Sequence, residues 1–171
     1  MSNNKRPSIK DIPDRCWDEL SQNLLPEKAI LHTRTTPDQL KRVYEDGYAV
    51  IELRDEQIVG FFAAWPVAEG FHEVGTAWVR PDLRGHGIGH DLYLAMKALL
   101  EVQDRLIFGV TTNPISVHLG HLMNLTSHTN WRDPIPWELT CGRCDKYPDH
   151  EKHACPIRDT ECRLRVMKPV S

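Results

Sequence analysis

The run Val79-Arg80-Pro81-Asp82-Leu83-Arg84-Gly85-His86-Gly87-Ile88-Gly89 joins an apolar, strand-like stretch to an amphipathic, helix-like one. Arg84-x-x-Gly87-x-Gly89 falls at the junction, where a starting helix leaves its first N–H groups without partners inside the helix. Glycines at 85, 87 and 89 let the backbone approach a ligand with no side chain between. Unpaired amides at the positive end of a helix dipole make a seat for an anion, phosphate above all. The turn therefore reads as a pyrophosphate site. A dinucleotide loop would need Gly-x-Gly-x-x-Gly after the first strand of a βαβ unit, with an acidic residue about 20 residues further on. Here the glycines run Gly85-x-Gly87-x-Gly89 in mid-chain. An ATP-type loop would need Gly-Lys-Ser/Thr, which the turn lacks. The plain alternative is an ordinary glycine-rich strand-to-helix turn.

A second chemistry is written near the C-terminus. Cys141, Cys144, Cys155 and Cys162 form C-x2-C-x10-C-x6-C, with His150 and His153 inside. Zinc takes four nitrogen or sulfur ligands in a tetrahedron, and a C-x2-C pair supplies two from one tight turn. Cys155 and Cys162 are the natural other two, and His150 or His153 could stand in for Cys155. A metal here would clip a connection of low apolar content between two late strands. Free surface thiols are the plain alternative. A nucleic-acid-binding ribbon is a third reading, carried by Arg143, Lys146, Lys152, Arg158, Arg163 and Arg165 and diluted by Asp145, Asp149, Glu151, Asp159 and Glu161. Cys16 stands apart and reads as a core residue. His118, His121 and His128 lack a carboxylate at matching spacing for a second metal site.

The whole chain bounds these readings. Its 171 residues are about one domain with room for one good core. A net charge of −3 gives no global attraction to nucleic acid. No long apolar run or signal-peptide pattern appears, which predicts a soluble, cytoplasmic protein with no membrane partner. In a reducing compartment clustered cysteines point to metal more than to disulfides.

The elements that must position these residues are legible by pattern. Residues 1–11 are polar and read as a flexible terminus, and 12–171 as a single domain with 141–162 a Cys/His-rich insertion. Pro13 to Leu25 reads as a helix burying Trp17, Leu20 and Leu24. Pro37 to Asp46 reads as a second, with Pro37 at its first position and Gly47 as its stop. Strands are expected over Tyr48–Leu53, Ile58–Trp65 and Phe71–Arg80. A helix follows over Gly87–Val102, with Leu92, Leu94, Ala95, Leu99 and Leu100 inward. Next come a strand over Leu106–Thr111, a helix over Ile115–Leu125, and short strands over Trp137–Thr140 and Arg163–Met167.

Val79-x-Pro81 followed by Arg84-x-x-Gly87-x-Gly89 and a helix resembles the signature of the GNAT superfamily of acyl-CoA N-acyltransferases. The resemblance covers roughly residues 30–170 and is most specific over 48–113. It implies an α/β (α+β) fold with a central, mixed, mostly antiparallel sheet flanked by helices and splayed between the family's fourth and fifth strands. The zinc clip would close the last hairpin. It implies acetyl-CoA as cosubstrate, with Ala77, Trp78 and Val79 lending backbone groups to the pantetheine arm. Gly85, His86, Gly87, Ile88, Gly89 and His90 would hold the pyrophosphate, with Arg84 opening the motif and Asn113 touching the arm.

The implied reaction is attack of a neutral amine on the thioester, which needs a base. The family commonly takes it from a Glu early in its fourth strand, and Glu73 occupies that place with His72 beside it. Successive strand residues face opposite ways, so one of the pair faces the cleft, and Glu73 is the favoured one. The family's usual acid is a Tyr about seven residues after that Asn. Here the place is Gly120, with Tyr93, His118 and His121 as substitutes. The reading is thus an acetyl-CoA-dependent N-acetyltransferase with a structural zinc near the acceptor groove. The alternative is a non-catalytic acyl-CoA-binding or zinc-clip interaction module. The acceptor amine, small molecule or protein, is not specified by the sequence, and a homodimer stays open.

Overall fold

A computed structural model describes residues 6–28, 30–101, 105–128, 130, 134–144, 155–158 and 160–167. Helices α1 (Asp14–Leu24) and α2 (Pro37–Glu45) lead into strands β1 (Ala49–Arg54), β2 (Gln57–Ala68) and β3 (Phe71–Val79). Then come α3 (Ile88–Leu100), β4 (Leu106–Thr111), α4 (Pro114–Gly120), β5 (Leu125–Ser127) and β6 (Arg163–Met167). The strands make one six-stranded sheet in the order β1-β2-β3-β4-β6-β5. Every neighbouring pair is antiparallel except β3 and β4, which are parallel. This is the mixed sheet that the resemblance implied. Among the described residues no helix is long and apolar enough to cross a membrane.

Local chemistry explains the helix boundaries. Thr36 caps α2: its hydroxyl accepts from the Gln39 N–H, and the Gln39 side chain accepts from the Thr36 N–H, a reciprocal box with Pro37 at the first helical position. Asn113 caps α4 by accepting from the Ile115 N–H at 3.0 Å. The apolar stripe of α1 buries Trp17, Leu20 and Leu24, as expected, together with Cys16, whose thiol donates to the Glu56 carbonyl. In α3 the stripe runs through Ile88, Leu92, Met96 and Leu100 with Tyr93. Leu92 and Leu100 are buried as expected and Leu99 packs partly buried beside them, whereas Leu94 and Ala95 are exposed: the buried face follows the i, i+4 row from Ile88, with Met96 and Tyr93 in it.

Two cores sandwich the sheet. On one face α1 and α2 pack Trp17, Leu20, Leu40 and Tyr44 against Phe61, Trp65 and Trp78. On the other, α3 packs on Val59, Phe62, Ala64 and Val74. A Cβ on Gly60 would stand 3.0 Å from both the Ile88 and Leu92 side chains, so the missing side chain lets the start of α3 sit tight on β2. A third, smaller cluster joins Phe108, Ile135 and Leu164, with Leu139, Cys141 and Cys162 against it. The late connection thus has apolar anchoring of its own, where the sequence suggested little.

Two strand expectations change. Trp137–Leu139 forms a 3-10 turn, and the partner of β6 is Leu125–Ser127, paired in register Leu125↔Met167. The fourth helix ends at Gly120, a 3-10 turn covers His121–Met123, and Asn124 reverses the chain with φ 58°. That reversal turns the expected helix end into an edge strand. At the other terminus, the Arg6 guanidinium lies 4.1 Å from the Tyr44 ring centre, and the Tyr44 hydroxyl donates to the Pro7 carbonyl at 2.7 Å.

His72 is fully buried, its ring 4.6 Å from that of Tyr48, and neither ring nitrogen has a hydrogen-bond partner among the described residues. Burial, aided by the positive charge of Arg105, holds its pKa below the usual histidine value. The unfolded chain therefore takes up, at about pH 6.5, a proton that the folded chain resists. Stability is complete above that pH and falls as pH drops through it, by at most about 1.4 kcal/mol per pH unit. His72→Phe keeps a ring and removes the titration. Its melting temperature is expected to fall less than the wild type's between about pH 7 and pH 5. Parallel curves for the two proteins would mean that His72 titrates alike folded and unfolded.

Candidate active site

The glycine turn starts a helix, as the sequence predicts. Gly87 is the N-terminal cap residue of α3 with φ 85°, and Gly85 has φ 82°. Both lie in the left-handed region, which favours glycine. No side chain caps α3, so its first amides are available to a ligand. The turn opens on a cleft of about 370 Å³ whose walls include Ala77, Trp78 and Val79 on β3 and Gly87, Gly89 and His90 at the helix start. Gly85, Ile88, Arg84 and Asn113 line it too. Of the expected cofactor residues only His86 stays out: it is exposed, with Nδ1 held 3.0 Å from the Arg84 carbonyl. Arg84 braces the turn from behind. Its Nε donates to the Val79 carbonyl at 2.9 Å and its Nη2 to the Glu27 carboxylate, which also accepts from Trp78 Nε1. Asn113 spends its carbonyl oxygen on the α4 cap, which leaves its amide N–H groups for a ligand.

Beyond the turn the sheet opens. Strands β3 and β4 pair only over Phe71↔Leu106, His72↔Ile107 and Glu73↔Phe108 and then separate. The register of β2 on β3 shifts between Phe61 and Ala63, and Thr76 there has φ 58°, a left-handed residue that is not glycine. Such a bulge takes a residue out of the ladder and bends the strand. The Thr76 hydroxyl is fixed by accepting from Trp65 Nε1 at 3.1 Å. The gap holds a cavity of about 70 Å³ lined by Thr76, Ala77, Tyr93, Val110, Ser116 and Arg165. Ala77, Tyr93, Asn113 and Ser116 also line the larger cleft, so the two spaces adjoin.

Glu73 stands at the last paired position, where the strands part. It is buried, and its Oε2 accepts from Arg34 Nη2 at 2.8 Å in an ion pair that is itself largely buried. Arg34 comes from the loop between α1 and α2 and lies over the Trp65 ring at 5.4 Å. Among the described residues Oε1 has no partner, so it is the oxygen open to water or an amine. His72 takes the core instead, as strand alternation requires. Of the substitutes for the acid, His118 and His121 are exposed on the helix surface. Tyr93 is buried in both cavities and bonded to Ser116, its phenol pKa raised by burial.

Cys141, Cys144, Cys155 and Cys162 line one cavity of about 100 Å³, and Glu73 and Thr111 line it as well. Burial raises the Cys141 thiol pKa, with Cys155 and Cys144 close enough to add to it. The four thiols share a space but not a coordination sphere: among the described residues no group of three His, Cys, Asp or Glu side chains is arranged to hold a metal ion. His150 and His153 lie outside the described residues. Three residues of the site escaped the sequence reading. Arg34 had no local signal. Thr76 is an ordinary β-former until the bulge is seen. Arg165, read as part of a basic surface, is buried; its alternation with Leu164 on a short strand was the clue available.

The family model described as the acetyltransferase (GNAT) family matches residues 8–119. No curated protein matches the chain. Among solved structures, Rv2747 from Mycobacterium tuberculosis, in complex with CoA and NLQ, is 15% identical with a TM-score of 0.63, covering 97% of this chain and 98% of that one. N-acetylglutamate synthase from Neisseria gonorrhoeae, complexed with coenzyme A and N-acetyl-glutamate, is 16% identical with a TM-score of 0.59 over 91% of this chain and 32% of that one. A phosphinothricin acetyltransferase from Sinorhizobium meliloti, in complex with AcCoA, is 17% identical with a TM-score of 0.55 over 73% and 75%. At these identities the structures share the fold. The family match spans most of the chain, from the first helices to α4, and includes the glycine turn and the parted strands. The chain belongs to the acetyltransferase (GNAT) family.

Proposed function

We propose that the protein transfers an acetyl group from acetyl-CoA to an amine by direct attack on the thioester. The observation that carries this is the run of one opening from the uncapped start of α3 to the parting of β3 and β4 beside Glu73. The pyrophosphate would sit on the amides of residues 85–90 and the pantetheine arm along Ala77, Trp78 and Val79, with Asn113 across from it. Glu73 takes the amine proton, directly or through a water, and Arg34 fixes the carboxylate's orientation. The nitrogen–carbon bond forms, the carbon–sulfur bond breaks, and coenzyme A leaves as its thiolate.

The acceptor side carries charge. A pocket of about 590 Å³ beside this site is lined by Arg34, Arg42, Arg143 and Trp65, with Asp46 the only carboxylate among its lining residues. Arg34 is already paired with Glu73, and Arg42 lies 3.9 Å from Asp46, so among the described residues Arg143 is the lining cation with no carboxylate partner, and it favours an amine that also bears a carboxylate, such as an amino acid. The N-acetyl-glutamate bound to the Neisseria gonorrhoeae synthase is the N-acetyl derivative of a molecule of that kind.

The cysteine cavity is read as a structural zinc site held by Cys141, Cys144, Cys155 and Cys162, next to the acceptor groove. Four thiols around one cavity support this, and a bound ion would have to draw them closer. Its role is to order the connection between β5 and β6; no step of the transfer runs through it.

Two measurements test these readings. In an assay of thiol release, carboxylate-bearing amines should turn over and polyamines should not. Glu73→Gln should keep coenzyme A affinity and lose about 10²-fold or more in turnover. Full turnover in Glu73→Gln removes Glu73 as the base, and a preference for polyamines removes the charge argument. Elemental analysis of the purified protein should give one zinc per chain, and chelation should lower the melting temperature. A metal-free protein whose four thiols all react freely in the native state would contradict the zinc assignment.

A further inference from the structure

Arg165 sits on β6 opposite Gly109 of β4 and Ser127 of β5, and it is 2% exposed. Its guanidinium donates from Nη1 to the Val117 carbonyl at 2.6 Å and from Nη2 to the Leu125 carbonyl. Nε has no partner. Both acceptors are neutral, and among the described residues no carboxylate lies within ion-pair distance. A guanidinium keeps its proton in a protein interior, so a full positive charge is buried here with no counter-charge among the described residues. Such an arrangement is costly, and the missing partner is an anion.

The location says which anion. Arg165 lines the cavity between the parted strands, with Tyr93, Ala77 and Ser116, where the opening from the phosphate turn ends. The space it fills is that of an absent side chain: a Cβ on Gly120 would stand 2.1 Å from Arg165 Nη1. Gly120 is the position where the sequence resemblance places a Tyr as the acid for the leaving thiol. The side chain missing from α4 is thus replaced in space by a cation from β6.

We propose that Arg165 is the electrostatic partner of the coenzyme A sulfur and holds the thiolate as the carbon–sulfur bond breaks. This rests on the acetyltransferase reading. The electron pair of the broken bond stays on sulfur, Arg165 keeps all its protons, and the one proton released leaves from the amine through Glu73. No acid is required, which is why Gly120 is tolerated. Preformed charge aimed at a developing anion in a site shielded from water is an effective form of transition-state stabilisation. The titratable group facing Arg165 is Tyr93 on α3; α4 presents Val117 and Ser116, β4 presents Gly109 and Val110, and β5 presents Leu125, none of them charged.

The experiment uses coenzyme A alone, with the ionisation of its bound thiol followed by the ultraviolet absorbance of the thiolate. In the wild type the bound thiol should ionise about one pH unit or more below free coenzyme A. Arg165→Lys should keep most of that shift. Arg165→Met should abolish it while binding coenzyme A within a few-fold, and should lower turnover by about 10²-fold. A purely structural role, tying α4 to β5 through the two carbonyls, would change the melt and leave the thiol midpoint of the folded variant where it was. A wild-type thiol that ionises like free coenzyme A overturns the inference without any variant, so a failure of Arg165→Met to fold does not shield it. Absence of coenzyme A binding to the wild type overturns the acetyltransferase reading together with this one; binding with an unshifted thiol overturns this one alone.

Discussion

Strands β3 and β4 hold together only from Phe71 to Glu73, and the site is arranged around the gap that opens after that point. A parallel pair that continued would satisfy its own backbone groups and leave nothing for a ligand. Here several features keep the strands apart. The bulge at Thr76 bends β3, α4 begins directly after β4 with Asn113 as its cap, and Tyr93 and Arg165 project into the space between. The unpaired edges are left to bind an extended chain much as a neighbouring strand would. A pantetheine arm has amides at suitable intervals for this.

Charge is placed on both sides of the gap, in different ways. At its closed end Glu73 is paired with Arg34 across 39 residues of sequence, and the pair is buried on the α1–α2 side of the sheet. On the α3–α4 side Arg165 is buried with neutral carbonyls as its only partners among the described residues. A carboxylate where a proton must leave and a cation where electrons must arrive suit attack on a thioester. Glu73 lines the cysteine cavity and Arg165 the cavity between the parted strands, and the two cavities share Val110 and Thr111 as a wall. The cysteine cavity touches the carboxylate side, with Glu73 and Thr111 in its wall.

The parts of the fold that were legible are those fixed by neighbours in sequence. The glycine turn, the start of α2 at Pro37, the stripe of α1 and the long strands each depend on a few consecutive residues. The turn's shape is legible because glycines and helix-start amides are local facts. The misread parts depend on distant partners. Leu125–Ser127 carries no strand signal of its own; it becomes a strand because β6 offers it an edge. Trp137–Leu139 looks extended by composition but folds over the small core around Ile135. In α3 Leu92 and Leu100 were legible, but Leu94 and Ala95 gave way to Tyr93 and Met96, which only packing on β2 could decide. Arg34 and Arg165 were the hardest to see. Nothing in their surroundings marks them as buried until Glu73 and Gly120 are placed beside them. Gly120 was visible as a departure from the family pattern, but its physical meaning came from the cation that fills the space.

The position of coenzyme A in a crystal of its complex tests the account most directly. The account predicts density for the pyrophosphate on the amides of residues 85–90, for the pantetheine arm along Ala77, Trp78 and Val79, and for the sulfur between β3 and β4 within reach of Arg165. An arm lying outside the gap would contradict it, as would strands β3 and β4 paired beyond Glu73 with the gap closed.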